Sequence, residues 1–183
     1  MIVDMSTIGP DAVRRIAAAL PPGVALVDAP VGGSTGAAAA GTLRIYAGGA
    51  DGDLDRVEPV LAALGSVRRC GALGAGAAAK LVLNAAMITA AAGLADALAV
   101  AEGTGLDRGD AAALLREGPL GPVAARVLAG DGPPAHFGIA LAAKDLDLAV
   151  AAAGAELPVV RAARAVLARA VPDADLSALG RQS

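Results

Sequence analysis

The spacing of apolar and polar positions divides the chain into two parts that meet near residue 72. In the first part, short apolar runs typical of buried strands alternate with segments of helical spacing. Prolines and glycines separate these segments, as is usual between strands and helices. We predict strands at residues 2–5, 24–31, 42–48 and 66–70, and helices at residues 10–20 and 53–65.

After Gly71 the pattern predicts helices alone. The predicted helices cover residues 76–102, 106–118, 139–155 and 158–170. We expect a loosely held tail from Pro172 onwards. The fold class is therefore a partial α/β domain over residues 1–72, followed by an all-helical domain over residues 73–183, with the long helix between them.

Composition limits both the core and the partners. Apolar residues make up 56% of the chain, but with one Phe, one Tyr and no Trp the core must be built from aliphatic side chains. The net charge of −3, without a basic cluster, argues against a nucleic-acid partner. The most apolar stretch, residues 81–95, is shorter than the roughly 20 residues of a membrane span, so we expect a buried helix and no membrane partner.

Cysteine and histidine are too few for a disulfide or a common metal site. Cys70 is the one cysteine, which excludes an internal disulfide and fits a reducing, cytoplasmic compartment. His136 is the one histidine, so we interpret it as a loop or surface residue and expect no metal. The first ten residues contain neither a basic region nor a long apolar run, and no signal peptide is visible.

The segment GAGAAAKLVLN, residues 74–84, begins with the dinucleotide-binding pattern G-x-G-x-x-A. Such a loop needs a short helix after it, and then a second parallel strand that carries an acid about 20 residues further on. Here the predicted helix continues to residue 102, and Asp96 falls inside it. We therefore interpret these glycines as something other than a cofactor loop.

Lys80 and Asn84 are spaced so that they lie one turn apart on one helix face. Both residue types are rare: of 15 basic residues 13 are Arg, the two Lys are Lys80 and Lys144, and Asn84 is the one Asn. A lysine amine exchanges protons near neutral pH where burial lowers its pKa from about 10.4, and an amide can orient the same substrate oxygen. We expect Gly74 and Gly76 to leave room for that ligand. The alternative is that both side chains are ordinary surface groups of the helix.

Two further motifs follow predicted strands. STIGP follows the first strand and DAPVGGS the second. Ligands of open α/β sheets bind where strands end, and glycine-rich turns there can present backbone N–H groups to an anion. Lys144 and Asp145 stand at the start of a predicted helix, where such a pair is also ordinary on an exposed face.

Taken in order, four segments resemble the β-hydroxyacid dehydrogenase family, which includes 3-hydroxyisobutyrate dehydrogenase and, more distantly, 6-phosphogluconate dehydrogenase. The segments are VDMSTIGP, DAPVGGSTGAAAAGTL, GALGAGAAAKLVLN and FGIALAAKDLDLAVAAAGAELPVV. The resemblance implies that residues 1–72 are the C-terminal half of a Rossmann-like NAD(P)-binding domain, and that residues 73–183 form a helical substrate-binding and dimerisation domain. It also implies NAD or NADP as cofactor, a small hydroxy acid or semialdehyde as substrate, and a homodimer or larger homo-oligomer.

The resemblance further implies roles for the matching residues. Lys80 would be the catalytic acid and base, and Asn84 would orient the substrate. The turn formed by Gly32, Gly33 and Ser34 would hold the substrate carboxylate. The usual turn of the family is DAPVSGG, so Gly32 stands at the serine position, and the serine hydroxyl is missing unless Ser34 replaces it.

The implied cofactor contacts are Thr7, near the nicotinamide, and Lys144, which would approach the nicotinamide from the helical domain. The family pattern starts with a complete nucleotide-binding fold, so about 90 residues of it, including the pyrophosphate loop, have no counterpart before Met1. We expect a fragment or a misplaced start. A partner chain that supplies the missing half and a remnant without redox activity are the alternatives.

Two functional hypotheses follow from these observations. The first is an NAD(P)-dependent oxidoreductase of the β-hydroxyacid class, which the presence of Lys80, Asn84 and Lys144 favours. The second is a non-catalytic helical oligomerisation module of the same family that does not bind cofactor. The missing half and Gly32 favour this second hypothesis.

Overall fold

A computed structural model of the chain describes residues 1–128 and 137–181. The chain forms two compact units. Unit 1 comprises Met1–Leu83 with Ala151–Gly154, and unit 2 comprises Asn84–Val150 with Ala155–Ser183. This division falls further along the chain than the predicted boundary at residue 72, which stays a prediction. His136, expected on a loop or surface, lies outside the described residues.

Unit 1 contains a five-stranded sheet, three helices and the start of a fourth. Its complete elements are β1 Ile2–Asp4, α1 Pro10–Ala19, β2 Leu26–Asp28, β3 Val31–Gly32, α2 Thr35–Ala39, β4 Leu43–Gly48, α3 Asp51–Ala62 and β5 Gly65–Gly71. The sheet is mixed: β1 is parallel to β2 and β4 is parallel to β5, while β2 and β3 both run antiparallel to β4. The predicted succession of strands and helices is confirmed for this region, except that the short helix α2 was not predicted.

One predicted strand, residues 24–31, is broken into β2 and β3. Pro30 lies between the two pieces and has no backbone N–H to give to a sheet ladder. Its carbonyl still accepts a hydrogen bond from Tyr46 N at 3.0 Å. The chain therefore follows β4 in two short segments, with Asp28 opposite Gly48 and Val31 opposite Ile45.

The core of unit 1 is aliphatic, as the composition predicts. Val27 on β2 and Ile45 on β4 are both fully buried, and they pack with Leu54 and Leu61 of α3. Alternate residues of a strand point to opposite faces of the sheet. The face of β4 that carries Ile45 is therefore covered by α3, and Tyr46 points to the other face.

The regular secondary structure of unit 2 is helical in the described residues, apart from an isolated bridge between Gly138 and Asp175. Its long helix α4 begins in unit 1. The remaining elements are α5 Arg108–Glu117, α6 Gly121–Val127, α7 Ile139–Ala153, α8 Pro158–Leu167 and a short 3-10 helix, Leu176–Arg181; α4 itself is Ala75–Thr104. Asp107 caps α5 by accepting hydrogen bonds from Gly109 N and Asp110 N.

The expectation of a loosely held tail from Pro172 is wrong for residues up to Arg181. Leu176 and Leu179 are fully buried, and they belong to the same apolar cluster as Ile88 and Leu94 of α4. Two leucines spaced three apart place both side chains on one side of a 3-10 turn. The tail therefore closes the core of unit 2.

Helix α4 has 30 residues, and by length and composition alone it could cross a membrane. The predicted helix over residues 76–102 is close to this length, but the exclusion of a membrane span from the apolar stretch 81–95 is not upheld by length and composition. Ile88, Leu94 and Leu98 are each at most 1% exposed, because they pack into the apolar clusters of unit 2. A core helix passes the same test of length and composition.

Two glycines of α4 differ sharply in their surroundings, which gives a first prediction. A Cβ on Gly76 would stand 2.1 Å from the Tyr46 carbonyl oxygen, whereas a Cβ on Gly93 would meet nothing within 4 Å. We expect Gly76→Ala to destabilise the protein by about 2–3 kcal/mol through overpacking. We expect Gly93→Ala to stabilise it by up to about 1 kcal/mol, because alanine favours a helix over glycine.

Urea unfolding followed by circular dichroism measures both changes on one helix. Similar unfolding free energies for the two variants would show that the close approach at Gly76 does not determine how α4 packs on the sheet.

Candidate functional site

The first turn of α4 is held by a buried carboxylate. Asp28, at the end of β2, is fully buried. Its Oδ1 accepts a hydrogen bond from Gly74 N and its Oδ2 one from Ala77 N, each at 2.7 Å. The first N–H groups of a helix have no partner within the helix, and the positive end of the helix dipole favours an anion. Asp28 therefore fixes the start of the helix that carries Lys80 and Asn84.

Glycines allow this approach of helix and sheet. A Cβ on Gly48 would stand 2.6 Å from Asp28 Oδ1 and 2.8 Å from Gly76 N. A Cβ on Gly76 would overlap the Tyr46 carbonyl. The expectation that Gly76 leaves room for a ligand is therefore wrong, because β4 fills that space. The interpretation of G-x-G-x-x-A as something other than a cofactor loop agrees with the structure, since no second parallel strand follows α4 among the described residues.

Lys80 and Asn84 lie one turn apart on α4, as predicted. Lys80 is half-buried and Asn84 is only 4% exposed. The alternative that Asn84 is a surface amide is therefore wrong. A buried amide needs hydrogen-bond partners, and those partners determine which way its oxygen points.

Asp145 of α7 orients Asn84 within unit 2. Asn84 Nδ2 donates to Asp145 Oδ2 at 2.5 Å, and Asp145 is 2% exposed. Lys144 Nζ lies 2.8 Å from Asp145 Oδ1, which makes an ion pair, but Oδ1 receives no aligned hydrogen bond. Since a carboxylate accepts hydrogen bonds and does not donate them, the Asn84 amide must present its nitrogen to Asp145. Its Oδ1 and second N–H are left for other partners.

For Asp145 the sequence offered an ordinary exposed pair with Lys144 as the alternative, and it assigned no role to Asp28. In the structure both carboxylates are buried and hold other groups in place. A signal for Asp145 was present, because helical spacing from Ala142 and Ala149 places it near their buried stripe. The signal for Asp28 was an acid that directly ends an apolar strand.

The glycine turn lies at the end of β3, also in unit 1. Gly32 ends that strand, and Gly33 has φ of 125°, a conformation that side chains with a Cβ rarely adopt. Ser34 precedes α2 but its side chain makes no capping hydrogen bond. Gly32, Gly33 and Ser34 thus form a glycine-rich turn in which the Ser34 hydroxyl does not cap α2, and such a turn suits the predicted anion-binding role.

The two predicted cofactor residues are placed on different units. Thr7 lies in unit 1, in the loop between β1 and α1, and is half-buried. Lys144 lies in unit 2 on α7, with its side chain 44% exposed. It also lines a cavity of about 540 Å³ between α7 and α8, where Arg164 Nε contacts both carboxylate oxygens of Asp147 at 3.0 and 3.1 Å.

Nucleophilic and metal chemistry find little support in the described residues. Burial raises the pKa of the Cys70 thiol, which makes it a weaker nucleophile at neutral pH. Residues 1–128 and 137–181 contain no group of three or more His, Cys, Asp or Glu that could hold a metal ion. Proton transfer by Lys80 remains the chemistry that this arrangement suits best.

Comparison with protein families matches the chain along almost its whole length. Residues 1–76 match the family described as the NAD binding domain of 6-phosphogluconate dehydrogenase. Residues 74–181 match the family described as NAD-binding of NADP-dependent 3-hydroxyisobutyrate dehydrogenase. The two matches meet at the start of α4.

Individual proteins agree with these matches. A 3-hydroxyisobutyrate dehydrogenase and an NAD-dependent L-serine dehydrogenase, both from Pseudomonas aeruginosa, are 35% and 36% identical over 85% of this chain and 56% of their own length. The solved 3-hydroxyisobutyrate dehydrogenase of Mycobacterium tuberculosis with L-serine is 32% identical, with a TM-score of 0.85. That likeness covers 98% of this chain and 68% of the solved chain. This chain therefore spans little more than half the length of the two Pseudomonas relatives.

The anchoring role of Asp28 leads to a second prediction. In Asp28→Asn, an amide nitrogen must face one of the two backbone N–H donors, so one hydrogen bond is lost inside the protein. We expect a loss of about 1–3 kcal/mol in unfolding free energy. The matched control is Asp11→Asn, because the Asp11 carboxylate pairs with Arg14 at the surface. We expect this variant to lose less than about 1 kcal/mol of unfolding free energy.

Urea unfolding of the two asparagine variants gives the comparison. Equal stability of Asp28→Asn and the parent protein would show that the carboxylate does not hold α4.

A third prediction concerns Asp145. In Asp145→Ala the Asn84 amide loses its buried acceptor, so we expect a loss of about 1–3 kcal/mol. Asp147→Ala is the control on the same helix, because Asp147 is 58% exposed and pairs with Arg164 near the surface. We expect it to cost less than about 1 kcal/mol.

Both variants replace Asp by Ala within α7, so the change in helix propensity is the same in each and cancels in the comparison. Thermal or urea unfolding that ranks the two variants equally would contradict the anchoring of Asn84 by Asp145.

Proposed function

The chain belongs to the β-hydroxyacid dehydrogenase family, and on this premise we propose that it carries the proton-transfer and substrate-binding parts of an NAD(P)-dependent oxidoreductase. The reaction interconverts a small hydroxy acid and the corresponding semialdehyde. The observation that carries the proposal is the pair Lys80 and Asn84, one turn apart on a helix whose start is fixed by a buried carboxylate.

In the proposed reaction, Lys80 exchanges a proton with the substrate oxygen. It removes the proton when the alcohol is oxidised and returns it when the carbonyl is reduced. Asn84 binds the same oxygen through the amide groups that Asp145 leaves unused. Since Asp145 fixes the amide, Asn84 loses little freedom when the substrate binds.

The turn of Gly32, Gly33 and Ser34 is proposed to hold the substrate carboxylate. The names of the similar proteins support this class of substrate, because 3-hydroxyisobutyrate and L-serine both carry a primary alcohol on the carbon β to a carboxylate. A site that binds the carboxylate at one place and the alcohol oxygen at another holds such a molecule in one orientation.

NAD or NADP, when bound, supplies the hydride chemistry. The available donors fit such a group: Thr7 carries a hydroxyl beside the end of β1, and the Lys144 ammonium is partly exposed although it pairs with Asp145. We propose Thr7 and Lys144 as cofactor contacts, each from its own unit.

We also propose that the protein acts as a homodimer or larger homo-oligomer in the cytoplasm. Apolar side chains on α4 support self-association, because Val82 is 69% exposed and Val100 is 65% exposed. Large exposed apolar residues that recur along one helix are typical of an interface between protein chains.

The direct test is the titration of NADH and NADPH into the 183-residue chain, with the emission of the reduced nicotinamide as the signal. Saturable binding in the micromolar range is the expected result. No binding up to millimolar concentration would contradict cofactor use by this chain and favour a helical oligomerisation module.

A fourth prediction tests the proton transfer. Lys80→Arg keeps the positive charge, but a guanidinium does not release its proton near neutral pH. We expect kcat for a small hydroxy acid to fall by about 10²–10⁴-fold, with little change in melting temperature or in cofactor affinity.

The control is Arg15→Lys, an exposed exchange of the same two residue types on α1, which should leave kcat unchanged. Turnover of Lys80→Arg within tenfold of the parent would exclude Lys80 as the acid and base.

A further inference from the structure

Tyr46, the one tyrosine of the chain, lies beside the glycine turn. The ladder between β3 and β4 pairs Val31 with Ile45 and Gly32 with Arg44. Tyr46 N donates to the Pro30 carbonyl at 3.0 Å, which brings Tyr46 alongside the residues that lead into the turn.

The phenol ring points to the sheet face on which α4 begins. Ile45 packs against α3 on one face, so the side chain of Tyr46 lies on the opposite face. The first turn of α4 lies on that face, because Val27 packs against α3 and the adjacent Asp28 therefore points to the face of Tyr46, where its carboxylate binds the backbone N–H groups of that turn. Tyr46 therefore shares a face with the helix that carries Lys80, within unit 1.

Gly32 makes room for the phenol. A Cβ on Gly32 would stand 3.4 Å from Tyr46 Cε2 and 3.5 Å from Tyr46 Oη. The hydroxyl of Tyr46 therefore reaches the place to which a side chain at position 32 would point. The turn itself offers no side-chain donor at Gly32 or Gly33.

The Tyr46 hydroxyl is available to a ligand. Tyr46 is 9% exposed, yet among the described residues its hydroxyl makes no hydrogen bond. The described side-chain atoms that are both shut off from solvent and without a partner do not include the Tyr46 hydroxyl oxygen. Solvent therefore reaches this hydroxyl. Buried tyrosines usually hydrogen-bond through the hydroxyl, and at this position the missing partner can come from outside the protein.

We infer that the Tyr46 hydroxyl donates a hydrogen bond to the substrate carboxylate at the turn of residues 32–34, and so fills the position of a side-chain donor at residue 32. The inference rests on the proposed function, of which it specifies the carboxylate site. Ser34 is the competing donor. Its hydroxyl lies 3.9 Å from the place of a Cβ on Gly36, towards α2, whereas the Tyr46 hydroxyl lies directly beside Gly32.

The composition provides a specific signal for the test. With one Tyr and no Trp, the ultraviolet emission of the protein comes from Tyr46. We expect 3-hydroxyisobutyrate and L-serine to change this emission in a saturable way.

Binding affinities of variants provide the second readout. Tyr46→Phe should weaken binding of the hydroxy acid about tenfold or more, as measured by calorimetry, since a hydrogen bond to a charged group is lost. The double variant Gly32→Ser with Tyr46→Phe should regain most of the affinity, because a serine at position 32 returns a hydroxyl to the same place. The neutral amide of the same acid should show a smaller difference between the parent and Tyr46→Phe, because its carbonyl accepts a weaker hydrogen bond than a carboxylate does.

The outcomes separate this inference from the proposed function. If the parent binds the hydroxy acid but Tyr46→Phe binds it equally well, or if Ser34→Ala loses more affinity than Tyr46→Phe, the inference is wrong and the proposed function stands. If the parent binds no hydroxy acid at millimolar concentration, the proposed substrate class is wrong and the inference falls with it. Melting temperatures of all variants show whether each remains folded.

Discussion

The position of every candidate side chain on α4 depends on how the carboxylate of Asp28 holds the start of that helix. Two hydrogen bonds of 2.7 Å tie both carboxylate oxygens to backbone N–H groups of the first turn. A charge without solvent contact is tolerated only where it is well paired, so the geometry is restrictive. Because a helix transmits position along its axis, fixing Gly74 and Ala77 also fixes Lys80, which follows within one turn.

A second buried acid repeats this arrangement at the other end of the pair. Asp145 holds Asn84 from α7, so each of the two proposed site residues depends on a carboxylate supplied by another element. The two acids act differently. Asp28 determines where the helix begins, whereas Asp145 determines which end of the Asn84 amide remains available.

The fold was largely predictable, and its surprises have local physical causes. The long helix and the alternation of strands and helices follow from the spacing of apolar residues. The strand breaks at Pro30 because proline has no N–H to donate to the ladder. The spacing of apolar residues carries no information on that missing hydrogen bond. The tail is buried because of Leu176 and Leu179. These two leucines stand in a short segment rich in polar residues, so the sequence pattern did not predict a core element there. Lys80 and Asn84 could be found because they are rare in this sequence, whereas Asp28 is one of 18 acidic residues and nothing in its type marks it as special.

The scarcity of large side chains explains why polar anchors and glycines matter so much in this protein. Cores with aromatic residues fix the register of a helix by interdigitating bulky groups. Here α4 meets the sheet through Gly48 and Gly76, whose surfaces are smooth and would permit the helix to slide or rotate. Hydrogen bonds are directional, so Asp28 supplies the register that side-chain packing does not. The same reasoning applies to Tyr46, because this chain has very few aromatic rings. The Tyr46 ring lies against Gly32, beside the candidate carboxylate site. Packing alone could have been provided there by a valine or a leucine. The hydroxyl is what distinguishes tyrosine from those side chains at this position.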